Sequence, residues 1–357
     1  MQDSPPLATA RSSVCDVNKS FVLVLVLITA TTLSSISKVF AGEPVFGDPT
    51  VYGRLNMTLE RASVEDAKAD TKFVDNGSRI GLRAGKNISD DIAAMIQIEA
   101  RLRHDPDSWA VKSKDTWIGL QDARFGTARF GMMEGPLFHA TYDEISMHNH
   151  NSGRSEDKLL AEDATGGRMS KAIYYRAPLA EPLKVEVLHA FLTPDPAKTN
   201  AANPSHDEFA LTYEAGTSWV AGGYAESRNL KVDKAWTLAG ASTVNSIVLA
   251  GLYERSAATT QGGATAYRNY GRIAANYPVG KHEFHINYGV TGGLSTTPDS
   301  GANQATLGYN YNLTEQAKVY AFATRIRNKR NASYSFLENT SSGLANSSVA
   351  LGFRHNF

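Results

Sequence analysis

Thiols are almost absent from this chain. Its only cysteine is Cys15, inside an N-terminal stretch that reads as a removable leader. That excludes a disulfide scaffold, a cysteine metal site and a thiol nucleophile. An excess of either charge is missing too. The 36 lysines and arginines balance the 36 aspartates and glutamates, which argues against a nucleic-acid partner. No apolar run of about 20 residues occurs, so no helix of this chain is expected to span a membrane. Strands are not excluded in this way, because a membrane strand carries only every second residue apolar. Phosphate loops, dinucleotide fingerprints and nucleophile elbows are likewise missing, and neither cofactor nor metal is expected.

What is present begins with an address label. Lys19 precedes the apolar run Phe21–Ile28, and a small, polar stretch follows, ending Val39-Phe40-Ala41. Small or short residues three and one positions before a cut suit signal peptidase. Residues 1–41 are therefore expected to be a cleaved signal peptide with cleavage after Ala41, and 42–357 the mature domain. Cleavage would remove three basic and two acidic side chains and leave 33 against 34.

From Thr50 onward one theme repeats: about ten alternating residues, then a turn or a loop. Val51, Leu55, Met57 and Leu59 share one face, and Tyr52, Arg54, Asn56, Thr58 and Glu60 the other. Successive strand side chains point to opposite faces, so one face meets an apolar medium and the other meets water. The polar face carries full charges deep inside strands, including Arg54, Arg79, Arg83, Glu99 and Arg101, as a wet lumen allows. Connections alternate between short (85–91, 122–126, 214–218, 312–316) and long (61–77, 103–114, 134–168, 194–206, 291–304, 329–347). Short turns at one end and long loops at the other describe an outer-membrane barrel. Sixteen strands are expected, near 51–60, 78–86, 92–103, 114–121, 127–134, 169–177, 183–193, 207–215, 217–226, 230–240, 245–255, 266–277, 281–291, 303–312, 317–328 and 347–357.

Several local patterns resemble the trimeric general porins of Gram-negative bacteria, in particular the β-proteobacterial kind. Val51-Tyr52-Gly53-Arg54 is similar to that family's opening strand and Ser78–Arg83 to its second. Trp117–Leu120 leading to Phe125–Gly131 resembles the hairpin before the third loop, and Ile173–Pro178 the strand that leaves it. The last strand ends in Phe357, the terminal phenylalanine typical of the class. The resemblance implies an all-β, 16-stranded antiparallel transmembrane barrel with short periplasmic turns, long external loops and an inward-folded third loop. It implies a homotrimer in the outer membrane, in contact with its lipid and lipopolysaccharide. It also implies insertion by the barrel-assembly machinery, which reads the C-terminal strand. The expected function is passive diffusion of ions and small hydrophilic solutes through a water-filled channel.

By matching motifs, Arg54, Arg79 and Arg176 take positions on the basic wall of the constriction, joined there by Arg83 and Arg168. Glu162 and Asp163 are the first choice for the facing acids on the third loop, with Asp143 and Glu144 second. One departure stands out. The family's usual arginine after the glycine ending the strand before this loop is replaced by Met132, so a rung is lost unless Arg168 or Lys171 supplies the charge. Weak ion selectivity is expected. Two alternatives are a barrel enzyme using His148 and His150, and an adhesin or receptor using the external loops. Sixteen strands leave a channel rather than the filled interior of smaller barrels.

Overall fold

Alternation becomes architecture once the strands pair. The computed structural model describes residues 46–357 apart from 66–67, 106–107, 144, 146–156, 161–166, 180, 193–203, 229–231, 260–263 and 338–340. The expected leader and Ala41 thus lie outside the described residues. The strands are β1 (Thr50–Val64), β2 (Asp70–Asp75), β3 (Arg79–Asn87), β4 (Ile92–Asp105), β5 (Ser108–Asp122), β6 (Gly126–Glu134), β7 (Arg168–Arg176), β8 (Leu183–Phe191) and β9 (Ser205–Ala215). They continue with β10 (Ser218–Arg228), β11 (Val232–Val244), β12 (Ile247–Thr259), β13 (Thr265–Val279), β14 (His282–Thr291), β15 (Ala302–Asn312), β16 (Ala317–Asn328) and β17 (Asn346–Asn356). Each pairs antiparallel with its chain neighbour, except that β2 and β3 both pair with β1. They are two halves of one barrel strand broken at Asn76-Gly77-Ser78, so sixteen strands make the wall. No described helix is long and apolar enough to cross a membrane; the strands make the crossing.

β1 pairs with β17 from Arg54–Asn356 to Val64–Asn346 and closes the sheet. Closure satisfies backbone groups that an open edge would expose to lipid. The seam is sealed by Phe357, whose N–H and carbonyl both bond to Gly53 at 3.0 and 2.9 Å. A side chain at 53 would collide with that ring, since a Cβ there lies 2.4 Å from Phe357 Cζ. The opening glycine and the terminal phenylalanine are therefore one packing unit.

Burial follows the two-residue period. On β1 the even positions Arg54, Asn56, Thr58 and Glu60 are buried, while Val51, Leu55 and Leu59 are exposed on the outer face. The short connections meet at one end. That between β11 and β12 is Asn245-Ser246 with both φ values positive (49° and 67°), the two-residue turn whose twist matches a hairpin. The strands run further toward the long-loop end than alternation predicts. β4 and β5 pair as far as Asp105–Ser108, so the expected 103–114 loop is mostly hairpin.

The described parts of the third long connection, 135–143, 145 and 157–160, lie against the inner wall. Its apolar side chains Phe138, Tyr142, Ile145, Leu159 and Leu160 pack against Ala239, Ala241, Ala250, Leu252, Tyr270 and Ala274 on the inner face of β11–β13. Small side chains on that wall leave room for a docked loop, and the buried Arg272 and Glu254 are its charged exceptions.

Candidate functional site

The inward loop leaves the opposite wall, β16–β17–β1–β3–β4–β5, facing the open part of the lumen. On that wall cations sit directly across from cations. Lys318 is the register partner of Arg354, Arg54 of Arg79, Arg79 of Arg101, and Arg101 of Lys112. Like charges on facing strand positions destabilise a sheet, so the fold gains nothing from this row. Arg54 is buried, with Nη2 donating to Gly77 O at 3.3 Å and Nε without a partner. Arg354 donates to Asn356 Oδ1 at 3.2 Å. Among the described residues no carboxylate lies within ion-pair distance of Arg54, Arg354 or Lys318.

Glu99 is the carboxylate set within the row itself. Glu99 lies 3.6 Å from Arg79 and 2.8 Å from Lys114, and accepts a hydrogen bond from Tyr52 Oη at 3.0 Å. Lys114 reaches it through a β-bulge, where the β4–β5 register shifts between Ile98 and Ala100. An extra residue re-aims side chains. Here it brings two consecutive residues, Lys114 and Asp115, to the lumen side. Asp115 then accepts from Arg168 Nε at 2.6 Å, and Arg168 also lies 3.1 Å from Glu134.

The loop is pinned by two buried polar anchors. At its start, Leu137 N–H donates to Glu208 Oε2 at 3.0 Å, and Glu208 is held by His206 at 2.7 Å. Gly135 makes room for this carboxylate, which would overlap a Cβ. Deeper in, Asp157 receives Arg272 Nη1 at 3.0 Å and the Tyr270 hydroxyl, while Arg272 also donates to Asn287 Oδ1 at 2.8 and 3.1 Å. Lys158 N–H donates to Gln304 Oε1 at 3.0 Å. Asp157 is thus an anchor and does not face the passage.

Of the residues chosen from sequence, Arg54 and Arg79 meet in the basic row, and Arg168 joins it through Asp115 and Lys114. Arg83 lies four residues below Arg79, about 13 Å along the strand, stacked on the rings of Phe46 and Tyr52 at 5.3 and 5.2 Å. Arg176 is the last residue of β7, register partner of Thr127 and Glu186, and stands apart from the row. Glu162, Asp163, Glu144, His148 and His150 lie outside the described residues. Asp143 ends the π-helical turn Phe138–Asp143, and its side chain is also outside them. Lys318, Arg354 and Lys114 were not singled out from the sequence. Alternation puts Lys318 and Arg354 on the inner face, but their height follows only from the register.

The lost rung needs correcting. Met132 pairs with Thr116, in phase with the outward Phe130 and Ile118, whereas Met133 joins Met95, Trp117, Tyr174 and Leu188 in a buried cluster on the inner face. Position 132 is therefore no rung of this lumen. The cation on that part of the wall is Arg129, stacked on Trp117 at 4.4 Å and Tyr174 at 4.9 Å.

Solved structures share the fold. An anion-selective porin from Comamonas acidovorans matches with a TM-score of 0.71 at 18% identity, over 87% of this chain and 99% of that one. The trimer form of the outer-membrane protein OmpT from Vibrio cholerae gives 0.64 at 16%, over 87% and 100%. Salmonella typhi OmpF in complex with daunomycin gives 0.64 at 14%, over 87% and 97%. No curated protein matches the chain. Residues 23–331, however, match the Gram-negative porin family. With a sixteen-stranded wall closed at Gly53 and Phe357, the chain belongs to that family and forms a porin channel across the outer membrane.

Proposed function

We propose that this channel is a passive pore with a preference for small anions, and that the protein catalyses no reaction. The observation that carries the reading is the like-charge row Lys318–Arg354 and Arg54–Arg79–Arg101–Lys112, in which, among the described residues, only Arg79 has a carboxylate within ion-pair distance. In a passage walled by low-dielectric protein, such a row raises the local concentration of counter-ions. The preference is weak, because the passage is wet and the mature chain nearly neutral. The similar porin from Comamonas acidovorans is itself described as anion-selective. The test is the reversal potential across a planar bilayer in a tenfold gradient of potassium chloride. A shift of the sign set by chloride supports the reading; a potential of the potassium sign contradicts it.

Homotrimeric assembly belongs to the same proposal. A membrane barrel carries girdles of aromatic residues where it meets the lipid interfaces. The outer face of β7–β15 has them: Tyr175, Tyr213, Trp236, Tyr267, Tyr277, Phe284 and Tyr288 are exposed there. Between β1 and β5 the exposed outward residues are instead mostly aliphatic, including Val51, Leu55, Leu59, Ile80, Leu82, Ile96, Ile98, Ile118 and Leu120. A face without a girdle suits contact with protein. Chemical cross-linking of detergent-solubilised protein tests this, with bands up to a trimer and none beyond as the expected result.

Removal of residues 1–41, with Gly42 as the new N-terminus, completes the reading. N-terminal sequencing of the outer-membrane fraction checks it.

A further inference from the structure

Water fills the lumen of a porin, yet two stretches of this inner wall gather apolar side chains. The third loop covers the stretch on β11–β13. The other lies on β4–β8, where Met95, Trp117, Tyr174 and Leu188 belong to one buried cluster. Apolar surface facing water is unfavourable, so this stretch needs a cover as well. Phe46 provides it, packing against the cluster from the segment that precedes β1. Its ring centroid lies 5.9 Å from that of Trp117. The segment is tied to the wall at Gly47, whose carbonyl accepts from Gly85 N–H at 2.7 Å.

Two cations frame the ring-sized place that Phe46 takes. Arg83 is exposed on the lumen side, with its guanidinium 5.3 Å from the Phe46 ring and 5.2 Å from that of Tyr52. Among the described residues no carboxylate lies within ion-pair distance of it. Arg129 lies 4.4 Å from the Trp117 ring. Gln97 is the register partner of both Arg83 and Trp117. The three therefore share one height, with the Arg83 and Trp117 backbones about 10 Å apart. A guanidinium without a carboxylate stands at one end of this span and a flat apolar floor at the other. Phe46 brings a ring to it but no charge.

We infer that this span is a binding site for aromatic carboxylates in transit, with the carboxylate on Arg83, the ring on Trp117, and Phe46 as the tethered ring that the solute displaces. A carboxylate against a guanidinium forms the stronger, charge-assisted kind of hydrogen bond. A planar ring beside a cation and a second ring adds contacts that a puckered ring of the same size cannot make. The inference rests on the water-filled channel and not on its ion preference. A ring on a short tether competes at roughly millimolar effective concentration, so displacement should need solute in that range.

The test is single-channel recording in potassium chloride with benzoate, cyclohexanecarboxylate or benzyl alcohol added on the periplasmic side. Benzoate should interrupt the current of wild-type protein at roughly millimolar concentration. Cyclohexanecarboxylate has the charge without the flat ring, and benzyl alcohol the ring without the charge; both should interrupt it far less. Phe46→Ala removes the competitor, so about tenfold less benzoate should suffice. Arg83→Gln removes the charge-assisted bonds, so about tenfold more should be needed. Equal interruption by benzoate and cyclohexanecarboxylate overturns the inference, as does a Phe46→Ala channel that needs no less benzoate or an Arg83→Gln channel that needs no more. Saturation-transfer NMR on detergent-solubilised protein reads the same preference without conduction. Protein that prefers benzoate there but leaves bilayers tight would sink the pore reading and leave the binding site standing.

Discussion

Cutting the deeper anchor of the third loop should turn a steady narrow channel into a fluctuating one. Asp157 and Arg272 are both buried, at 4% exposure each. Removing one member of a buried pair costs about 3–5 kcal/mol, because the other charge is left without compensation. At tenfold per 1.4 kcal/mol, Asp157→Ala should shift the docked-to-free ratio of the loop by roughly a hundredfold to a few thousandfold. Apolar contacts hold the loop as well. Leu137, Ile145 and Leu159 are fully buried, each contributing about 1.5–3 kcal/mol. The single substitution should therefore leave the loop docked most of the time, with brief excursions to a larger conductance. Adding Leu159→Asp removes an apolar seat and buries a charge against Leu252 and Tyr270, and the wide state should then dominate. Single-channel recording at constant voltage reads this directly. A permanently wide pore from Asp157→Ala alone would refute the reasoning, and so would a double variant indistinguishable from wild type. The barrel seam is untouched by either change, so heat resistance of the assembled protein should persist.

Three further outcomes follow from the same geometry. Arg54→Gln with Arg354→Gln should move the reversal potential toward cations by more than Arg176→Gln, which stands apart from the basic row, and Met132→Arg should move it little, since 132 is in phase with the outer face. Gly53→Val must displace the Phe357 ring, an overpacking cost of about 1–3 kcal/mol, and should lower the temperature at which the folded band disappears in gels by several degrees without changing the conductance of surviving channels. Ile98→Arg, on the outward aliphatic face of β4, should convert trimers to monomers in cross-linking while circular dichroism keeps its strand signal.

The sequence carries the wall of this barrel more plainly than its passage. A two-residue period sorts side chains without knowledge of register, so Leu55, Ile98 and Phe284 were assignable to the lipid side, and Arg54 and Glu99 to the lumen, from order alone. Height is another matter. Arg54, Arg79, Arg83 and Arg176 all sit on the inner face, yet only strand pairing shows that the first two meet and that Arg176 ends its strand away from them. Lys114 was hidden by the bulge at Glu99, which breaks the period that alternation relies on. Met132 was misplaced because a motif was matched without its register. Asp157 belonged to a run of loop acids and could not be told from them, since whether a loop carboxylate faces the passage or grips the wall depends on where Arg272 and Tyr270 stand on β13. Glu162 and Asp163, the acids chosen first, lie outside the described residues.

Planar-bilayer recording tests the central claim most directly. Purified protein added to one side of an initially tight bilayer should give discrete, ohmic conductance steps that rise nearly in proportion to potassium chloride concentration, as a water-filled passage requires. Arg54→Gln with Arg354→Gln should keep those steps and change their ion preference. Protein that is folded and heat-resistant yet leaves the bilayer tight, or whose steps saturate at low salt and ignore both substitutions, would contradict a diffusion channel lined by this basic row.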